Sequence, residues 1–320
     1  MPITPVRFGE RLALARDESP LGTGVSREAP APLDNEARAR RVVRAVANPM
    51  PTLEQVSELD AGSIVRRSIP NGRLFVDGVR PFDITQGLTG DCWLVASLIA
   101  IAATRPELIE NAVTDNEDGT FTVRLYEAGA ARDVTVNGEL YMHAAIRKPV
   151  YMRSRNATEL WGPIIEKAYA GLHDDGYQGV HSGWPADALR TLTNLDSDLL
   201  AHASSSDDAL YATIEQALRD RRPTVADIGI DDVAAAEAAG LLPLHAYAVL
   251  GTQIEDGQRY LVLRNTTDSP EFETSAYIAA LPPFVQREDH GSPFGLDGAF
   301  RMRIDDYRRW FRQTTVLKAG

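Results

Sequence analysis

The sequence predicts an α+β fold in which a mainly helical half precedes a β-rich half. Three observations carry this reading. The apolar run Leu94–Ala102 that follows Cys92-Trp93 is long enough for a buried helix. Leu210, Ile214 and Leu218 recur at helical spacing within Ser206–Arg221, and serine and aspartate stand at its start, where free N–H groups need acceptors. After Thr224 strand-like segments dominate: Leu244–Leu250 alternates, and a turn at Glu255-Asp256-Gly257 leads into Arg259–Asn265.

Taken in order, residues 1–60 read as a flexible or regulatory extension. Ser19-Pro20-Leu21-Gly22 and Ala29-Pro30-Ala31-Pro32 break any regular pattern, and Asn35–Val46 is a stretch able to form one short basic helix that could dock an unidentified partner. The core, 61–320, divides near residue 200 into a helical part, 61–200, and a β-rich part, 201–320. The first part is expected to hold a helix over Cys92–Thr104, a hairpin from Phe121–Tyr126 and Asp133–Val136, and a helix over Thr158–Leu172. Asp115-Asn116-Glu117-Asp118-Gly119 has the composition of a calcium loop, but its place between a helix and a strand makes it a solvated turn.

Composition bounds the function. With 44% apolar residues in 320 the chain can bury a substantial core. It contains no apolar run of about 18 residues and no basic-then-apolar start, so neither a membrane partner nor a Sec signal is expected. The formal charge of −12 argues against nucleic acid, whose phosphates call for a basic footprint. The single cysteine excludes an intramolecular disulfide and fits a reducing compartment, so a cytoplasmic location is expected.

That cysteine lies in Gln86-Gly87-Leu88-Thr89-Gly90-Asp91-Cys92-Trp93, at the start of the predicted helix. A thiol there can serve as a nucleophile, since the helix N-terminus favours thiolate, or it can be a small buried hydrophobe. Asp91 is placed to cap the helix. A thiol nucleophile needs a base, and the base needs an orienting group. His245 begins one predicted strand and Asn265 ends the next, at the same end of the hairpin. A two-residue turn at Asp256-Gly257 would set His245 opposite Asp268, so bringing Asn265 to it requires a longer loop or a bulge. His143, His173, His181, His202 and His290 lack that context and read as surface or structural residues, although His181 adjoins Ser182-Gly183.

These residues carry a family resemblance. The octapeptide Gln86–Trp93, then Trp161-x-x-x-x-Glu166-Lys167-Ala168-Tyr169-Ala170, His245-Ala246-Tyr247 and Leu263-Arg264-Asn265, in that order, resemble the protease core of calpains. Asp83-Ile84 and Asp297-Gly298-Ala299-Phe300-Arg301-Met302 extend the match over roughly Arg67 to Val316. The resemblance implies a papain-like fold of two lobes, a helical nucleophile lobe and a β-rich His/Asn lobe, with a protein or peptide substrate between them. It implies Cys92 as nucleophile, His245 as general base and acid, Asn265 as its orienter, and Gln86 as an oxyanion donor alongside the backbone N–H of Cys92.

There are departures. Calpains follow the triad asparagine with Pro-Trp-Gly, where this chain has Thr266-Thr267-Asp268, and they precede the histidine with glycine, where it has Leu244. The glycine pair that receives the substrate backbone is represented by Gly183-Trp184. The family also implies calcium, and Asp83 and Glu166 fall on two ligand positions of one site. At a second site Asp297 and Glu271 match, but Ala299 stands where a carboxylate is expected. No absolute calcium requirement is expected. The sequence thus points to a calpain-like cysteine endopeptidase. A deamidase or transglutaminase acting on protein glutamine with the same triad, and a catalytically weak protein-binding module, are the alternatives.

Overall fold

The computed structural model describes residues 4–5, 46–47, 49, 64–145, 147–229, 236, 241–267 and 298–320. The helix Cys92–Thr104 forms where the apolar run predicts it. Every residue but Cys92 and Ala103 is buried, the behaviour of a helix that is apolar on all sides. Its two interior hydroxyls are satisfied within the helix, Ser97 Oγ donating to Trp93 O and Thr104 Oγ1 to Ala100 O, both at 2.7 Å. The predicted hairpin appears as Thr120–Glu127 paired with Ala130–Asn137, and the second helix as Trp161–Ala170. The acidic stretch before the hairpin is a turn whose carboxylates are used locally. Asp115 Oδ1 accepts from Glu117 N at 2.8 Å, and Asp118 Oδ1 from Thr120 N at 3.0 Å.

The β-rich half is built on one antiparallel sheet. Its strands run in the order Thr4–Pro5, Ala299–Arg303, Gln258–Asn265, Ala246–Glu255, Thr224–Asp227, Gln313–Leu317 and Ser197–Ala201. Alternation along these strands sends two sets of side chains to two cores. Val225, Ala246, Ala248 and Val262 join the core around the Cys92–Thr104 helix. Ala226, Tyr247, Val249, Leu261 and Leu263 pack against the helices Asp207–Arg219 and Ile304–Trp310 on the opposite face. Ser206 caps the first of these, its side chain accepting from Ala209 N at 3.2 Å. The mixed α+β architecture is therefore as predicted, and the nucleophile helix lies directly against the sheet that carries the histidine.

Two short pieces of the extension lie within the described residues of the core's sheets. Thr4–Pro5 pairs with Ala299–Arg303, and Val46–Ala47 runs parallel to Thr135–Val136. The expected basic helix over Asn35–Val46 lies outside the described residues except for Val46, as do Asp268, Glu271, His290 and Asp297. Among the described residues no single helix is long and apolar enough to cross a membrane.

Candidate active site

The Asp256-Gly257 turn has positive φ at both positions, 49° and 74°, the conformation that joins tightly paired strands. Glu255 therefore faces Gln258. A bulge between Val249 and Gly251 then shifts the register by one residue, so that Tyr247 faces Asn265. This is the irregularity that the spacing required. His245 becomes a diagonal neighbour of Asn265, and its Nε2 lies 2.8 Å from Asn265 Oδ1 and 2.9 Å from Thr266 Oγ1. Thr266 Oγ1 itself donates to Gln86 Oε1 at 2.7 Å, so both Asn265 Oδ1 and Thr266 Oγ1 can accept from an Nε2–H. That tautomer leaves Nδ1 as the basic nitrogen. The Nδ2 of Asn265, buried, has no hydrogen-bond partner among the described residues.

The same hairpin end is stitched to the segment that precedes the nucleophile. Gln86 N donates to Thr266 O at 2.8 Å, and the fully buried Arg264 donates to Ile84 O at 2.7 Å and to Pro81 O. Gln86 Nε2 donates to Thr89 O at 2.7 Å. A carboxamide nitrogen carries two hydrogens, so one N–H of Gln86 remains for another acceptor. Gly87 is required by the same packing, since a Cβ there would stand 2.2 Å from Tyr151 O.

Cys92 and His245 line one cavity of about 370 Å³ with Gly183, Trp184 and Leu244. Trp184 and Leu244 are 58% and 64% exposed and form its apolar lips. Gly183 must be glycine, because a Cβ would stand 2.4 Å from the Trp93 ring. Leu244 adopts φ of 53°, the left-handed region that costs a residue with a Cβ roughly 1 kcal/mol. The leucine thus adds an apolar side chain to the cleft lip and strains the backbone beside the histidine. No hydrogen bond joins Cys92 Sγ to His245 among the described residues. The backbone N–H groups of Ala246 and Trp93 favour the ionised sulfur, but more weakly than burial opposes it.

Electrostatics runs against one expectation. The helix start was expected to favour thiolate, yet burial pushes the Cys92 thiol up to about 12, and the negative charges of Asp91 and Asp227 oppose ionisation further. Burial lowers His245 to about 4 despite its bond to Asn265. Both shifts favour the neutral thiol and the neutral imidazole over the ion pair. Asp91 likewise does not cap the helix with its side chain. Fully buried, it faces Glu166, whose carboxylate accepts from Met152 N at 3.0 and 3.1 Å. Neither side-chain oxygen of Asp91 has a hydrogen-bond partner among the described residues, and desolvation raises Asp91 to about 7 and, with the neighbouring Asp91 charge, Glu166 well above its ordinary value, so the two carboxyls resist ionising together.

The structure does not bring Asp83 and Glu166 together. Asp83 Oδ2 accepts from Arg80 N at 2.6 Å and Trp161 Nε1 at 3.4 Å, and its acidic neighbour is Glu159, raised to about 7 by burial and, more weakly, by the Asp83 charge. Glu166 is committed to Asp91 and Met152. These two residues do not fit a shared calcium ion, and Ala299 of the second implied site is a buried strand residue. Among the described residues no group of three or more His, Cys, Asp or Glu side chains converges as a metal site.

The rest of the Glu166-Lys167-Ala168-Tyr169 motif is structural. Lys167 Nζ donates to Asn137 O, Asn137 Oδ1 and Glu139 O, using all three hydrogens, and Tyr169 meets Trp93 edge to face at 5.5 Å. His202 is a satisfied core residue between Phe311 O and Thr314 Oγ1. His181 Nδ1 accepts from Gly90 N at 3.2 Å and supports the nucleophile turn. Sequence reasoning missed Thr266, which bridges His245 and Gln86, and Asp227 in the cavity wall. The one available signal for Asp227 was an acid closing the strand Thr224-Val225-Ala226.

Comparison with known proteins bears on the family. Residues 63–318 match the family model described as calpain family cysteine protease. The calpain-type cysteine protease DEK1 of Arabidopsis thaliana is 29% identical over 85% of this chain and 13% of its own length. Calpain clp-1 of Caenorhabditis elegans is 27% identical over 83% of this chain and 35% of its own, and calpain-8 of Mus musculus 26% identical over 77% and 37%. The chain thus spans well under half the length of these relatives. With the ordered motifs on one fold, a single cavity holding Cys92 and His245, and a family match over most of the sequence, the chain belongs to the calpain family of cysteine proteases.

Proposed function

We propose that the protein is an intracellular cysteine endopeptidase working through Cys92, His245 and Asn265. The observation that carries this is the shared cavity of Cys92 and His245, with the imidazole held through Nε2 by Asn265 and Thr266 so that Nδ1 is the free base. On substrate binding, the Cys92 proton passes to His245 Nδ1 as the sulfur attacks the scissile carbonyl carbon. The oxyanion receives the Cys92 backbone N–H and the remaining Gln86 N–H, neutral donors aimed at charge present only in the tetrahedral state. His245 returns its proton to the leaving amine, which departs and leaves a thioester. Water then attacks the thioester, giving its proton to His245, and the carboxylic acid and free thiol are released. Asn265 holds the imidazole tautomer throughout.

The test is incubation with a denatured protein pool, followed by mass spectrometry of new amino termini, beside a Cys92→Ala control. New termini present with wild type and absent with the control are expected. A small mass gain on glutamine without chain breaks would identify a deamidase instead, and binding without either product a docking module.

A further inference from the structure

Alternation along Thr224–Asp227 puts Asp227 on the same face of the sheet as Val225, the face that packs on the nucleophile helix. Its cross-strand partners are Ala246 on one side and Gln313 on the other. The neighbouring wall of the cavity is apolar, from Trp93, Trp184, Ile228, Leu244 and Ala246, and Asp227 is the one carboxylate among the described residues lining it. Its only hydrogen-bonded side-chain partner there is a neutral group, Gln313 Nε2 at 3.2 Å. Arg312 reaches the same cavity but is exposed at the rim, and it meets Asp227 through its backbone N–H, which donates to Asp227 O at 2.9 Å. Among the described residues no cation forms an ion pair with Asp227.

A carboxylate set in an apolar wall without a cation is costly unless a ligand supplies one. Burial alone holds Asp227 at about 7, and its charge also works against the ionisation of Cys92. Neither effect serves the nucleophile. Both are relieved when a positive group enters the cavity, because the cation satisfies Asp227 and offsets its field at the sulfur.

The geometry points to Asp227 as a specificity determinant that selects a cationic substrate side chain, arginine or lysine, near the scissile bond. This rests on the endopeptidase reading of the same cavity. The test uses the full chain and a peptide library in which each position in turn carries arginine or its neutral isostere citrulline. Binding is read on Cys92→Ala protein and cleavage on protein with Cys92 intact, each with and without Asp227→Asn. Arginine is expected to be favoured at one position by at least about tenfold, the worth of a charge-assisted hydrogen bond. Asp227→Asn should bring that ratio near one, whatever its absolute rate. Asp227→Ser serves as a second variant should the first fail to fold. Equal binding of arginine and citrulline at every position, or a preference that survives both substitutions, would overturn the proposal. Discrimination in binding without any cleavage would leave Asp227 standing and sink the endopeptidase reading.

Discussion

The helix that carries Cys92 and the hairpin that carries His245 are held by opposite means. The helix is buried on nearly every side, and the groups behind it, the Asp91–Glu166 pair and the edge of Tyr169 on Trp93, each have one tertiary role. The hairpin reaches the cavity through a bulge, a left-handed Leu244 and an asparagine whose Nδ2 is unpartnered among the described residues. Strain of this kind persists where surrounding contacts over-determine it, here the bonds from Arg264, Gln86 and Thr266. The contrast teaches that the helix behind the nucleophile is fixed by burial and the base by hydrogen bonds, while desolvation favours the neutral form of both side chains.

The largest expected effect would break the comparison outright. Cys92→Ala and His245→Ala should each lower turnover by about 10⁴-fold or more, and the double variant should lose no more than either, because the two act as one unit. Additive losses in steady-state rates would mean that they do not. Gln86→Ala comes next, at about 10²-fold in kcat, the worth of one oxyanion donor. An unchanged kcat with lowered thermal stability would reduce Gln86 to its bridge between Thr89 and Thr266.

Stability against pH sharpens the nucleophile side. Asp91 is raised to about 7 in the folded chain against an ordinary 3.8, so the folded state binds more protons over that interval. Its contribution is fully present below about 3.8 and is lost as pH rises to about 7. Denaturant titrations should show higher stability near pH 5 than pH 8, and Asp91→Asn should narrow that gap; a gap of unchanged size would remove Asp91 from the account. On the hairpin side, Leu244→Gly should relieve the left-handed strain, gaining about 1 kcal/mol and raising Tm by about 2 °C. A fall in Tm would show that the leucine's packing outweighs its backbone cost. Smallest of all, a chain starting at Pro51 should still fold, with a modest drop in Tm from losing the Thr4–Pro5 and Val46–Ala47 pairings and the bond from Tyr141 to Pro49 O. Failure to fold would make the extension part of the core.

The same two regions differ in how legible they were. Cys92–Thr104 could be read to the residue because an all-apolar stretch of that length has one outcome in a globular chain. The hairpin turn, and the need for either a longer loop or a bulge, followed from counting residues between His245 and Asn265. What escaped reading depends on contacts between distant segments. Asp91 has every local feature of a cap, and only the approach of Glu166 diverts it. Glu166 seemed placed for Asp83, whereas the fold turns it inward and leaves Glu159 beside Asp83. Thr266 replaces the expected proline, and its hydroxyl gains a role only because Gln86 lies across from it. Desolvation works against the thiolate expectation, because the field of a helix start is opposed here by the loss of hydration around the sulfur and by the charges of Asp91 and Asp227.

The rate at which iodoacetamide alkylates Cys92, followed from pH 5 to 10 in the wild type and His245→Ala, tests the central contrast most directly. A neutral resting pair predicts a rate that keeps rising with pH without a plateau and is little changed by removing the imidazole. A pH-independent plateau through the neutral range that disappears in His245→Ala would show a preformed thiolate–imidazolium pair, and would contradict a nucleophile kept neutral by desolvation of its sulfur.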